Sequence, residues 1–118
     1  MERDDSVFLR HVLDAARQLQ QYVARRARED LDLDPMLRDA VIRQLEIIGE
    51  AANRVSQAFR QGHPEVPWAK IVAMRNQLIH GYMTVDLDLV WGSAEIDVPR
   101  LLALLEPLAS SEAERGGP

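Results

Sequence analysis

Apolar residues recur every three or four positions along almost the whole chain, and this spacing limits the possible folds more than any other feature. A repeat of this period places apolar side chains on one face of an α-helix, which is buried by packing against another helix. Four stretches carry the pattern, from about residue 4 to 28, from 35 to 60, from 67 to 81 and from 86 onward. The sequence therefore predicts an all-α fold, a four- to five-helix up-and-down bundle.

Proline, glycine and aspartate mark the ends of the predicted helices. Asp34 and Pro35 suit the cap and first turn of the second helix, and residues 61–64 contain the glycine and proline that end it. Gly81 is expected to end the third helix. In the fourth region Pro99 lacks a backbone amide donor, so we expect a kink or a new start there.

The length of 118 residues suits one domain with a single core. We assign the helical domain to residues 1–109 and expect residues 110–118, which are small, polar and rich in glycine, to form a flexible tail. The apolar residues of the fourth region cover more than the single stripe that a four-helix bundle buries. A second subunit is expected to cover part of this surface.

The composition excludes several kinds of chemistry. The chain has no cysteine, which rules out disulfides, thiolate metal sites and cysteine nucleophiles. Its histidines, His11, His63 and His80, are scattered, so we expect no metal site, and the absence of a glycine-rich phosphate loop predicts no cofactor. Acidic residues at the amino terminus and the lack of a long apolar run indicate a cytoplasmic protein that does not enter a membrane.

The charge is distributed unevenly along the sequence. The net charge of −5 argues against binding of long nucleic acids by bulk electrostatics, because phosphate binding requires lysine and arginine. Between Ala51 and Val85, however, the only acid is Glu65, against four basic residues, whereas Asp86–Glu114 holds seven acids and one arginine. A locally basic segment thus lies within an acidic chain.

The basic segment contains Arg75–Tyr82, where the chemically reactive side chains are concentrated. Asn76 and His80 are four residues apart and therefore share a helical face, with Arg75 beside Asn76 on the neighbouring face. A guanidinium group binds phosphate through paired hydrogen bonds, and histidine transfers protons near neutral pH. Together these groups suffice for cleavage of RNA by its own 2′-hydroxyl, a reaction that requires no metal.

The same segment and its surroundings have a simpler interpretation. An arginine and a histidine five positions apart occur by chance in many helices, as a surface arginine and a histidine that bonds terminal carbonyl groups. Tyr82 can likewise pack at the helix end with its hydroxyl in water. Glu50 and Arg54 have the spacing of a solvated salt bridge. The alternative is that this pair supports the position of the Arg75–Tyr82 segment. We expect Trp68 and Trp91 to pack in the core rather than to stack on bases.

A wider pattern around this segment resembles the HepT toxins, a branch of the HEPN superfamily. It comprises Arg75-Asn-x-x-x-His80-x-Tyr82, Pro67-Trp68 and Ile71 before it, Val85-Asp86 and Trp91 after it, and Ile48–Arg54 in the second helix. The similarity extends from about Asp4 to Leu108. It implies a HEPN-like bundle that forms a homodimer, with the Arg-x-x-x-x-His motifs of two chains in one cleft that cleaves RNA without metal. Arg75 and His80 then become catalytic residues, and Asn76 orients the substrate or His80.

The resemblance also implies a partner, a small nucleotidyltransferase antitoxin of the MntA type. Such an antitoxin transfers AMP from ATP to the tyrosine two residues after the motif histidine, which is Tyr82 here. Phosphate charge and bulk added beside Arg75 and His80 would repel RNA and silence the toxin of this type VII-like toxin–antitoxin system. The alternative, which draws on the acidic net charge, is a helical dimer that binds the nucleotidyltransferase and has no nuclease activity.

Overall fold

The computed structural model describes the backbone of residues 3–81 and 84–115 and the side chains of residues 5–81 and 84–110. Within these ranges the chain is helical and contains no β-strand, which confirms the predicted all-α class. The helices in chain order are α1 (Arg3–Val23), α2 (Asp30–Leu33), α3 (Pro35–Arg54), α4 (Gln57–Gly62), α5 (Trp68–His80), α6 (Leu87–Gly92), a π-helical segment (Ser93–Asp97) and α7 (Val98–Arg115).

The four long helices, α1, α3, α5 and α7, form a bundle around one apolar core. α1 packs against α3 and α7, and α5 packs against α3. Burial of the apolar helix faces removes their side chains from water, which is the main driving force for folding. The largest apolar side chains that are almost completely buried are Leu9, Val12, Leu19, Leu31, Val41, Leu45, Ile48, Val55, Val66, Val90 and Leu105.

Two predicted helix starts are confirmed by their capping bonds. The Leu37 amide donates to Asp34 Oδ1 (3.1 Å), and Pro35 occupies the first turn of α3, where its missing amide proton has no intrahelical acceptor. Asp86 caps α6 in the same way, because its Oδ1 accepts from the Asp88 amide at 3.0 Å and from the Leu89 amide at 3.2 Å.

The end of α1 differs from the prediction. The helix ends at Val23 rather than near Arg28, because Arg25 adopts a left-handed backbone conformation (φ 61°) that turns the chain. The residues after the turn were expected to be irregular, but Asp30–Leu33 form the short helix α2, whose Leu31 is buried. The burial of one leucine thus stabilises a helical turn that the aspartate-rich sequence does not favour.

The second predicted helix is divided into α3 and α4. α3 ends at Arg54, and α4 begins after Ser56, whose hydroxyl accepts a hydrogen bond from the Phe59 amide (3.1 Å). Asp5, 51 residues earlier in α1, is only 2% exposed and accepts bonds from the Ser56 amide (2.6 Å) and hydroxyl (2.7 Å). The break is therefore stabilised by a tertiary contact, which the local sequence does not reveal.

The last helical region contains the expected irregularity near Pro99. The Val98 amide donates to Ser93 five residues earlier, so a π-helical segment joins α6 to α7, and Pro99 lies in the first turn of α7. α7 continues to Arg115 and thus includes the first part of the segment predicted to form a tail. No helix in the described ranges is long and apolar enough to cross a membrane.

A groove of about 610 Å³ lies between α5 and the α6–α7 region. Its walls include Ile71 and Met74 from α5 and Leu101 and Leu104 from α7. Outside the core, Leu89 and Ile96 are 47% and 52% exposed. The fourth region therefore presents the surplus apolar surface that the sequence predicts, and its burial by a second subunit stays a prediction.

Candidate active site

The predicted functional segment lies at the carboxyl end of α5, and Trp68 anchors the opposite end of this helix. Trp68 is 7% exposed, its Nε1 donates to the His63 carbonyl oxygen (3.0 Å), and its ring packs edge-on against Phe59. Trp91 is half-buried and packs against the core. The prediction of packing in the core is confirmed for Trp68, whereas Trp91 packs against the core and is only partly buried.

Arg75 is half-buried, and its side chain begins against Gly49 of α3. Its Nη1 donates a hydrogen bond to Asn76 Oδ1 (2.8 Å), while its Nε is buried without a hydrogen-bond partner. No carboxylate of the described residues forms an ion pair with this guanidinium. The positive charge of Arg75 is therefore available to an anion.

His80 is the last residue of α5, and its imidazole is exposed. It lies at the edge of a cavity of about 510 Å³ between the end of α5 and the start of α6. Because successive helical residues are rotated by about 100°, Arg75 and His80 point about 140° apart, whereas Asn76 and His80 differ by about 40°. The structure thus brings Arg75 and Asn76 together and leaves His80 on a different face of α5 from Arg75.

The connection from α5 to α6 begins at Gly81, as predicted. The Gly81 amide donates to the Gln77 carbonyl oxygen (2.8 Å), and the Thr84 amide donates to that of Gly81 (2.9 Å). Tyr82, the predicted modification site, belongs to this connection in the sequence but lies outside the described residues. The only observation on the predicted role of Tyr82 is therefore its position in the sequence, two residues after His80.

The start of α6, just after this connection, is tied to the loop before α2. Arg28 Nε donates to Asp88 Oδ1 (2.6 Å), and Arg28 Nη1 also pairs with Asp32 (2.8 Å). The bond to Asp88 is the main reason that the pKa of Arg28 is raised above its ordinary value. Because the Asp88 side chain is largely exposed, this pair joins the start of α6 to the loop and contributes little to stability.

The remaining candidates have structural roles. Glu50 and Arg54 form an exposed salt bridge (3.6 Å), which confirms the simpler interpretation of this pair. His63 lies in the loop after α4, where its ring packs on Phe59 and its Nδ1 lies 3.3 Å from Glu65 Oε1. No group of three or more potential metal ligands occurs among the residues that the structure describes.

Gly49 is the residue near the site whose role was missed. It belongs to the Ile48–Arg54 stretch that carries the family resemblance, but no function followed from that pattern. A glycine inside a helix is destabilising by about 1 kcal/mol relative to alanine, so its presence indicates either close packing or a functional constraint. A glycine at this position of a helix was therefore the sequence feature that could have indicated a role. The close contact with Arg75 explains why glycine is present.

Comparison with known proteins gives consistent results. Residues 12–108 match the family described as Ribonuclease HepT-like. A relative from Thermococcus cleftensis, named "Probable ribonuclease HepT", is 35% identical over 92% of this chain and 98% of its own length. Another, named "Putative RNase" and from Methanocaldococcus jannaschii, is 38% identical over 85% of this chain and 92% of its own length.

One longer relative, also from Methanocaldococcus jannaschii, is named "Gamma-glutamylcyclotransferase and putative RNase". It is 36% identical over 86% of this chain, which spans only 46% of that relative. No solved structure matches the chain. By class, the protein is an all-helical endoribonuclease. More particularly, it belongs to the HepT-like ribonuclease family.

Proposed function

We propose that the protein is the toxin of a cytoplasmic toxin–antitoxin system and that Arg75, Asn76 and His80 form its metal-independent ribonuclease site. The observation that carries this proposal is the state of Arg75, whose guanidinium is held by Asn76 and is not neutralised by any described carboxylate. A cation that is oriented before the substrate arrives is suited to bind a phosphate and to stabilise the charge that develops on it.

Asn76 has a defined role in this arrangement. Because its Oδ1 accepts the bond from Arg75, its amide nitrogen points away and is left as a donor. That donor lies on the face of α5 that His80 shares. It can therefore bind a phosphate oxygen or orient the His80 imidazole.

The reaction follows from the chemistry of RNA. The ribose 2′-hydroxyl attacks the adjacent phosphorus, so that the 2′-oxygen–phosphorus bond forms and the bond from phosphorus to the 5′-oxygen breaks. One proton leaves the 2′-hydroxyl and one is gained by the 5′-oxygen. The exposed His80 imidazole is suited to these transfers because its ring nitrogens can accept a proton and donate one. The products carry a 2′,3′-cyclic phosphate and a 5′-hydroxyl.

The proposed site is shared between two copies of the chain. Arg75 and His80 of one copy diverge by about 140° around α5, so a phosphate bound to Arg75 is better placed for the histidine of a second copy. The groove between α5 and α7 offers apolar surface that a second copy would bury. The exposed side chains of Leu89 and Ile96, which precede α7 in the sequence, add to this surface. Pairing two basic segments would also concentrate positive charge in an acidic protein.

Regulation is proposed to act through Tyr82 and a nucleotidyltransferase antitoxin of the MntA type. Tyr82 follows His80 by two residues, so AMP attached to its hydroxyl would place a negative charge and an adenosine group next to the catalytic residues. That charge competes with the RNA phosphate for Arg75. Modification of one residue would thereby silence the enzyme.

The proposed activity is tested by incubating the purified, unmodified protein with several classes of RNA in the presence of EDTA. Cleavage that leaves 2′,3′-cyclic phosphate ends is expected. Intact RNA in every case would instead favour the alternative, a helical dimer that binds the nucleotidyltransferase, which the net charge of −5 supports.

The shared site is tested by mixing two inactive variants. Arg75→Ala and His80→Ala chains, exchanged into mixed dimers, are expected to regain about a quarter of the wild-type activity. Half of the dimers would be mixed, and each would retain one intact Arg75–His80 pair across the interface. Failure of the mixture to recover any activity, with mixed dimers demonstrated by mass spectrometry, would contradict the shared site.

A further inference from the structure

Gly49 lies on the face of α3 that packs against α5, opposite Ile71 and Arg75. A Cβ atom placed on Gly49 would lie 2.2 Å from Arg75 Cβ, 2.8 Å from Arg75 Cγ and 3.1 Å from the Ile71 carbonyl oxygen. Carbon atoms that are not bonded do not approach within 3.0 Å, so an alanine cannot be accommodated without a movement of one helix.

The atoms that conflict determine what must move. Cβ of Arg75 is fixed by the backbone of α5, so no rotation of the arginine side chain relieves the shortest contact. Gly62 and Gly92, which also lie in helices, have no atom within 4 Å of the position that a Cβ atom would occupy. Of these three helical glycines, Gly49 is thus the one that packs closely against a neighbouring helix.

The contact at Gly49 limits the position of the whole Arg75 side chain. Its Cβ and Cγ rest against α3, its Nε is buried, and its Nη1 is bonded to Asn76. Few rotamers are compatible with all three restraints. These restraints hold the guanidinium in one orientation. Without them, a substrate phosphate would have to select that orientation from many.

We propose that Gly49 is a positioning residue, which acts on the reaction through Arg75 and does not touch the substrate. This inference rests on the proposed function, because it assumes that Arg75 binds the scissile phosphate. A methyl group at position 49 would displace the start of the Arg75 side chain by about 1 Å, because the 2.2 Å contact must lengthen to the 3.4 Å of an ordinary contact. A misplacement of this size in a catalytic group reduces the rate by about 100-fold.

The test is Gly49→Ala, with Gly92→Ala as the matched control in which the added methyl group meets no other atom. We expect the kcat for RNA cleavage to fall by about 100-fold in Gly49→Ala and by less than 2-fold in Gly92→Ala. In a chain that already carries Arg75→Ala, the Cβ atom of residue 75 still meets the new methyl group but the guanidinium is gone, so adding Gly49→Ala should reduce the residual rate by much less than 100-fold. A purely structural role would reduce the rate equally in both backgrounds.

A second measurement does not depend on activity or on the folding of the variant. In ¹H,¹⁵N spectra of the wild-type protein, assigned by the loss of one signal in Arg75→Lys, the Arg75 Nε–H should exchange with water more slowly than the exposed Arg10 Nε–H. Exchange as fast as that of Arg10 would overturn the inference. So would Gly49→Ala retaining wild-type kcat while Arg75→Ala is inactive, and that result would leave the proposed function intact. Inactivity of the wild-type protein would refute the proposed function instead, and the exchange measurement would still test the position of Arg75.

Discussion

Replacing Asp5 with alanine tests how α1 is held against the junction of α3 and α4. Asp5 is 2% exposed, and its carboxylate accepts bonds of 2.6 Å and 2.7 Å from the amide and hydroxyl of Ser56. Hydrogen bonds to a charged group contribute about 1.5–3 kcal/mol each. The cost of burying the carboxylate offsets part of this gain, so we expect Asp5→Ala to lower the free energy of unfolding by about 3 kcal/mol.

The corresponding shift in melting temperature follows from the length of the chain. Unfolding entropy of about 2.1 cal/mol/K per residue gives about 250 cal/mol/K for this protein, so 3 kcal/mol lowers the melting temperature by about 12 °C. Circular dichroism during heating and urea unfolding measures both quantities. Asp14→Ala is the control, because Asp14 lies in the same helix and is exposed. A loss below about 0.5 kcal/mol in Asp5→Ala, equal to that of the control, would refute the reasoning.

Two further predictions concern the core and the proposed modification site. Leu45 is completely buried in α3, so Leu45→Ala should lower the free energy of unfolding by about 2–5 kcal/mol, measured by urea denaturation, whereas the exposed Met36→Ala should change it by less than about 0.5 kcal/mol. Protein produced together with the proposed nucleotidyltransferase antitoxin should gain mass in steps of one AMP group, and Tyr82→Phe should not. Unchanged modification of Tyr82→Phe in the mass spectrum would exclude this tyrosine as the acceptor.

Local chemistry predicts those parts of the fold that depend on neighbouring residues. The cap at Asp34, the start at Pro35 and the end of α5 at Gly81 each require only residues within one turn, and all three are confirmed. The end of α1 and the break after α3 were missed for different reasons. Arg25 adopts a left-handed conformation that its side chain does not favour, and Ser56 is bound by a carboxylate from another helix.

In the candidate site, too, local contacts could be predicted from the sequence and contacts between helices could not. Helical spacing predicts that Arg75 and Asn76 are neighbours, and the hydrogen bond between them agrees with this. The role of Gly49 could not be predicted from spacing, because it depends on which residue of α5 lies opposite it across the helix interface. The nuclease chemistry itself was suggested by the family resemblance, since an arginine and a histidine at this spacing are common in helices.

The central claim is that Arg75 and His80 carry out RNA cleavage, and the most direct test is the kcat of two alanine variants with matched controls. Arg75→Ala and His80→Ala should each lower kcat in EDTA by about 10²- to 10⁴-fold, because the first removes the phosphate-binding cation and the second the proton-transfer group. Arg10→Ala and His11→Ala, which alter exposed residues of α1, should cleave RNA at the wild-type rate. Wild-type cleavage by both site variants would contradict the assignment of the active site to the end of α5.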